Sequence, residues 1–468
     1  MANTTARQVA VLAMASVVGI LGACEATVPT VTPPAATAPA AVTPVAPASS
    51  VPTVALSPPV SPTTTPSATV SAAPTASAAP SATPGSTTSP TAALTASPGT
   101  GAWQYLDDFP VGDAIEVTAV AYTAGGYIAV GSEPAEGQGF FGIRQGVVWT
   151  SADGIAWRRS TPEAFVSSTL LHVVEMAEAS YIFGVRSICD LAEEECDDLP
   201  DAGVTVWTND GTGWQRLPQS PVMQDAFLAG VVALEDTLVA YGDSGRNLQA
   251  TAWTSTDGVT WAASTELAGM DPISAAAAGP EGMVAFGTRL VRDGGRIATV
   301  AAFSADGRTF EPADLPSGSD IVIESVAWGA DGLVAVGADE EAQATGGKPA
   351  VLASADGRGW EALPLDDSFA ATSLRQIRAT PAGYLLIGSR PSPGDPQRDA
   401  GLSWQSADGR SWVGETPFGG AGYRLFNGSA AGSTGAVAVA LDYEDETAEG
   451  PLTTVRVWYA PLSVLTPR

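Results

Sequence analysis

From about residue 117 onward the chain alternates short apolar runs with polar turns in a fixed order. An Ala/Val-rich run comes first, then a turn holding Gly or Asp, then a second run that closes on glycine. In the first copy these runs cover residues 117–122 and 127–131, and later copies close at Gly184, Gly242, Gly287, Gly337 and Gly388. A third run, 147–150 in the first copy, leads into a polar phrase, Ser-x-Asp-Gly-x-x-Trp, and a fourth carries Trp157 away from it. Runs this short and this rich in β-branched residues predict strands rather than helices. Each unit therefore reads as a four-stranded antiparallel meander.

The phrase begins at Ser151, Thr208, Ser255, Ser304, Ser354 and Ser406, and its aspartates, Asp153, Asp210, Asp257, Asp306, Asp356 and Asp408, lie 47 to 57 residues apart. Such a period marks a repeat protein. One meander cannot bury both of its faces alone, and a ring of four-stranded sheets satisfies all of them as a β-propeller. A seventh unit follows at about 429–441 and 454–459 but lacks a fourth strand, while Gly101-Ala102-Trp103-Gln104 mirrors Gly211-Thr212-Gly213-Trp214-Gln215. The expectation is an all-β, seven-bladed propeller closed by pairing of its N- and C-terminal strands, with no long unpaired edge. Within the phrase, Asp-Gly suits a two-residue hairpin turn, and the Ser and Asp oxygens are placed to accept turn amides. Trp157, Trp214, Trp261, Trp360 and Trp412, with Phe310 in the fourth copy, are expected to anchor the packing between blades.

The phrase resembles the Asp-box, the bacterial neuraminidase repeat found in sialidases and in many non-enzymatic propellers. The resemblance covers residues 101–468. It departs in one respect: the usual box has a residue between Asp and Gly, and here the two are adjacent in all six copies. It implies the propeller fold, with the boxes on the face away from any binding site. Sialidase chemistry would further need an arginine triad, a tyrosine activated by a glutamate and an aspartate acid. The Phe/Tyr-Arg-Ile-Pro signature that accompanies them is absent.

Ahead of the repeats, residues 1–23 read as a signal segment with one basic residue, Arg7, and an apolar core at 9–21 too short for a comfortable span. It ends Leu21-Gly22-Ala23-Cys24, which looks like a bacterial lipobox. Cys24 is thus expected to become the lipidated first residue of a protein held at the extracytoplasmic face of the cell membrane; the alternative is an ordinary secretory signal. Residues 26–100 carry no charge and consist mainly of Ala, Pro, Thr, Ser and Val. Such a tract stays disordered and extended, a stalk reaching up to about 200 Å at ~3.1 Å per residue. Cys189 and Cys196 lie close together in one loop, where export favours a disulfide and free thiols are the alternative.

Charge narrows the partners. The formal net charge of -29 falls on the propeller, since Arg7 and Glu25 cancel, and it repels nucleic acid and anionic lipid headgroups. The acidic loops 190–201 and 442–449 suit calcium in composition but have no recognisable ligand spacing, and no cofactor is expected. A monomer is expected.

Candidate chemistry gathers on the rim opposite the Asp-Gly turns, where the hairpin tips vary in length: 132–145, 185–203, 243–248, 288–296, 338–348, 389–401 and 441–450. Two residues past each closing glycine, or past the equivalent Ala440, stand Glu133, Arg186, Ser244, Arg289, Asp339, Arg390 and Asp442. Three arginines and three carboxylates on one rim suit an acidic sugar or a peptide terminus. Phe140, Phe141 and Arg144 form a second cluster, adjacent aromatics in a polar loop. Three functions follow from these features. The first is a binding or scaffold module for a glycan, peptide or surface protein. The second is a sialidase-like glycosidase using Arg186, Arg289 and Arg390. The third, by analogy of fold alone, is an assembly factor for a membrane complex.

Overall fold

The computed structural model describes residues 103–465 except 113–115, 136–142, 187–202, 246–248, 265–266, 268, 271, 292–295, 318–319, 340–347, 393–394, 419–422, 424 and 444–452. The signal segment, the stalk, Cys24, Cys189, Cys196, Phe140 and Phe141 lie outside the described residues. The remainder folds into seven sheets of four antiparallel strands. Among the described residues the helical pieces are short 3-10 turns, and no helix is long and apolar enough to cross a membrane.

The first strands of the blades are Glu116–Thr123, Ser168–Met176, Ala226–Leu234, Ile273–Gly279, Ile321–Gly329, Ser373–Thr380 and Leu425–Ala431. Each touches the first strand of the next blade, and the last touches the first, so they line the centre of a closed ring. The seventh sheet takes its outer strand from the N-terminal side. Gln104 pairs with Tyr459 and Tyr105 with Trp458, and the Leu106 amide donates to the Val457 carbonyl at 2.9 Å. Trp103 continues past this strand into blade six, its ring tilted against Phe418 with centres 4.4 Å apart and its Nε1 donating to the Ser403 hydroxyl at 2.9 Å. The closing strand thereby latches two blades.

Every first strand carries a β-bulge at the same height, for example between Val117 and Ala119 in blade one and between Leu374 and Gln376 in blade six. Opposite the bulge stands the closing glycine. A Cβ on Gly131 would lie 1.8 Å from the Glu116 carbonyl oxygen, and one on Gly337 would lie 2.0 Å from that of Val322. The bulged backbone crosses over these positions, which explains the glycine that ends the second run in six of the seven blades.

The Asp-Gly phrase is not the two-residue hairpin that its dipeptide suggests. In blade one, Thr150 pairs with Arg158, leaving a longer turn in which Gly154 has φ +80° and Asp153 does not enter the left-handed region. The Asp153 carboxylate accepts the amides of Ile155 and Ala156 at 2.9 Å each, the Ser151 hydroxyl accepts the Gly154 amide at 2.9 Å, and Trp157 donates to the Gly154 carbonyl. Side-chain oxygens here replace the partners a strand would offer. In blade two the register shifts the phrase: Asn209, not Thr208, takes the serine's place and accepts the Gly211 and Gly213 amides.

The deepest tryptophans are not those of the phrase. Trp149, Trp207, Trp253, Trp404 and Trp458, on third strands, are fully buried, whereas Trp157, Trp214 and Trp412 are half-buried. Three of the buried rings donate Nε1 to a carbonyl of the chain that links one blade to the next: Trp149 to Pro110, Trp207 to Ala164 and Trp253 to Val222. They hold those connections onto the sheets while filling the space between blades.

Candidate functional site, the rim and the central channel

Because strands alternate in direction, the phrase turns and the first hairpins share one face, and the tips between second and third strands share the other. Those tips are shorter than the sequence implies. In blade six the strands Gly383–Ser392 and Asp395–Ser406 occupy most of the span expected to be loop. Tip lengths still vary widely, from two residues between Ser392 and Asp395 to seventeen between Arg186 and Val204.

The rim charges engage neighbours outside their own set. Glu133 forms an ion pair with Arg159 on the outer strand of blade one. Arg390 pairs with Glu415 on the outer strand of blade six at 2.9 Å and donates to the Ser368 carbonyl at 3.3 Å. Both side chains run along the sheet face toward its outer edge, away from the centre. Asp442, nearly buried, receives Arg398 at 2.9 Å and Arg456 at 2.7 Å. Arg144 is held by Glu116 at 3.1 Å and by the Ser132 hydroxyl. Arg186 ends its strand opposite Ser168 and is half-buried, Arg289 is exposed, and Asp339 is half-buried with its amide donating to the Lys348 carbonyl at 3.1 Å. Among the described residues no group of three His, Cys, Asp or Glu is placed to hold a metal.

The bulges insert one extra residue per first strand on this side of the ring. Two of them meet there, Arg375 and Glu324, from neighbouring blades at 3.3 Å. Burial would lower the Arg375 guanidinium, but Glu324 and Asp399 outweigh it and hold the charge above its ordinary value. Asp399 also accepts from the Ser389 hydroxyl at 2.8 Å and sits beside Tyr423, whose phenol is pushed up by burial first and by Asp399 second.

Deeper in the ring, polar residues of the first strands include His172, Ser325, Gln376, Arg378 and Ser429, and Tyr241 of a second strand lies over Gly230. His172 is held neutral by burial, with Nε2 3.4 Å from the Leu228 carbonyl. Arg378 has no counterpart elsewhere in the ring: the register places Ala121, Val174, Val232, Ala277, Ala327 and Ala430 at its height in the other six blades. That departure from the repeat is the sequence signal that singles it out, and it shows only after the blades are aligned strand by strand.

No protein-family model matches the chain, and no curated protein matches it. Solved structures do. YCF48 bound to D1 peptide is similar at 14% identity and TM-score 0.46, covering 76% of this chain and 95% of that one. The β-propeller domain of the Trilobed protease from Pyrococcus furiosus is similar at 10% identity and TM-score 0.46, covering 76% and 96%. Trypanosoma rangeli sialidase is similar at 13% identity and TM-score 0.36, with 74% of this chain covering 55% of the enzyme, about half its length. At such identities these are likenesses of architecture alone.

Proposed function

We propose that the chain is a binding or scaffold module, anchored by a lipid at Cys24 and held off the membrane by its uncharged stalk, that engages a glycan, peptide or surface protein through the rim opposite the Asp-Gly turns. One observation carries this reading. The six phrase turns on one face are near copies of each other, while the seven hairpin tips on the other differ several-fold in length. A repeat fold has no structural need for that asymmetry, and variable loops on a rigid ring are where recognition is built. The glycosidase alternative needs Arg186, Arg289 and Arg390 to converge, and the pull of Glu415 on Arg390 disfavours it.

The test is a glycan array on the purified chain carrying Cys24→Ser, run beside a fluorogenic sialoside assay. Binding without turnover supports the module, and turnover replaces it with the glycosidase. The same variant reports on the address: release into the medium is expected, and retention at the membrane rejects the anchor.

A further inference from the structure

The register shows which residue each bulge adds to its first strand. Blade five adds Glu324 and blade six Arg375, while the other blades add Thr118, Leu171, Ala229, Ser274 and Asn427, none of them charged. The two charged residues touch across the blade boundary: Nη1 of Arg375 donates to both oxygens of the Glu324 carboxylate, at 3.3 and 3.4 Å. These bonds are long for charge-assisted ones. Both side chains also keep solvent access, 35% for Arg375 and 29% for Glu324. The pair is held in place without being closed to a ligand.

Arg375 uses only part of its donor capacity. A guanidinium carries five N–H groups, one on Nε and two on each terminal nitrogen. Glu324 engages Nη1. Among the described residues nothing accepts from Nε or Nη2, and neither atom is buried, so three N–H groups face water, two of them side by side along one edge. Other arginines near the rim spend that same edge inside the protein. Arg144 gives Nε to the Ser132 hydroxyl and Nη2 to Glu116, and Arg390 has Nε buried and Nη2 on Glu415 and the Ser368 carbonyl.

The free edge has the shape that grips a carboxylate, but the charge around it opposes one. Glu324 already shares the cation, Asp399 adds to the negative field on it, and the chain carries 50 acidic residues against 21 basic ones. A hydroxyl accepts from the same edge without bringing a second anion to one cation, and a hydroxyl beside it can give its proton to Glu324. Sugar hydroxyls are donor and acceptor at once. We propose that the Arg375–Glu324 pair is the contact point for an uncharged sugar, one hydroxyl accepting from Nε and Nη2 of Arg375 and a neighbouring hydroxyl donating to the Glu324 carboxylate. This rests on the reading of the rim as a recognition surface, and within it selects a neutral glycan over an acidic sugar or a peptide terminus.

The test is an array of neutral hexose and pentose oligosaccharides printed beside sialylated and uronic-acid ones, probed with the purified full chain. Binding to neutral members is expected. Calorimetry with the strongest neutral oligosaccharide should give an affinity that changes little between about 50 and 500 mM salt, since no ion pair with the ligand is made. Arg375→Lys is the deciding variant: it keeps the charge beside Glu324 and loses the fork, so affinity should fall roughly tenfold, the factor that one hydrogen bond to a charged group carries. Glu324→Gln is expected to weaken binding as well, and it supplies the answer should Arg375→Lys lower the melting temperature. Neutral-glycan binding that neither variant weakens overturns the pair as the site and leaves the recognition rim standing. Binding confined to acidic glycans overturns the choice of ligand in the same way. Silence across the array overturns the inference, and a peptide array then decides whether the rim binds at all.

Discussion

Trp253 and Trp261 lie within one blade and do different work. Trp253 is fully buried on a third strand and donates to the Val222 carbonyl at 3.0 Å; Trp261, 7% exposed, closes its own turn on the Gly258 carbonyl at 2.9 Å and meets Phe183 edge-on. Replacing either with alanine is expected to cost about 3 to 5 kcal/mol, the range for a buried aromatic. Trp253→Ala belongs at the upper end, because it also leaves a carbonyl of the blade connection without its donor. Trp157→Ala, at a half-buried site, should cost least. Urea midpoints in the order Trp253, Trp261, Trp157 check the assignment, and a Trp157 variant as weak as the Trp253 one contradicts it. The phrase tryptophans were legible because they recur at a fixed offset from Asp-Gly. The third-strand ones were not, since Ala302 and Leu352 take their place in blades four and five and no constant neighbour marks them. Arg390 shows the same limit differently: spacing puts it on the rim, but only the fold shows that its guanidinium turns outward to Glu415.

At the scale of the strand, the closing glycine is the visible trace of a bulge that is otherwise silent in the sequence. One extra residue per first strand leaves no hydrophobic signature, because it interrupts the alternation by a single position. Its backbone consequence is concrete. Gly337→Ala would drive a Cβ against the Val322 carbonyl at 2.0 Å, and overpacking of this kind costs about 1 to 3 kcal/mol. Gly359→Ala meets no heavy atom within 4 Å and should leave stability unchanged. Thermal melts of the pair give the answer, and equal melting points would remove the bulge as the reason for the glycine. Strand existence was legible along the whole repeat, from the length and β-branching of the runs. The tip of blade six was not, because 389–401 looks like loop in composition, with three prolines and several charges, yet Ser389 to Pro391 pair with Asp399 to Gly401. Edge pairing of a long hairpin tolerates residues that a buried strand excludes.

The whole molecule is a ring with one seam, and its response to the seam and to pH follows from that. Trp103→Ala removes the ring contact with Phe418 and the bond to Ser403, so amides of Thr453–Pro461 should exchange faster while those of blade three do not. Uniform exchange across the blades would mean that closure is not carried by this latch. Stability against pH is set by groups spread round the ring. The carboxyls of Asp257, Asp306, Asp356 and Asp408 are held below their usual range chiefly by turn amides. That of Asp153 is lowered because the Ala156 and Ile155 amides outweigh a burial effect of the opposite sign. A depressed carboxyl contributes stability that is present above its unfolded pKa and is lost as pH falls through the folded one. His172 acts in the same direction from higher pH: burial lowers it from 6.5, so the unfolded chain takes up its proton first and stability declines below that value. On the alkaline side, burial raises the phenols of Tyr127 and Tyr241 from 10.0 to about 12. The unfolded chain then loses those protons first, and stability falls as pH rises above 10. Denaturant midpoints should therefore form a plateau between about pH 6.5 and 10 and drop on both sides, most steeply below about pH 4, where several turns fail together. Replacing His172 with glutamine should flatten the shallow decline between about pH 6.5 and 5 without touching the steep one, and a midpoint that stays level from pH 7 to pH 3 would show that the turn carboxylates do not hold the blades.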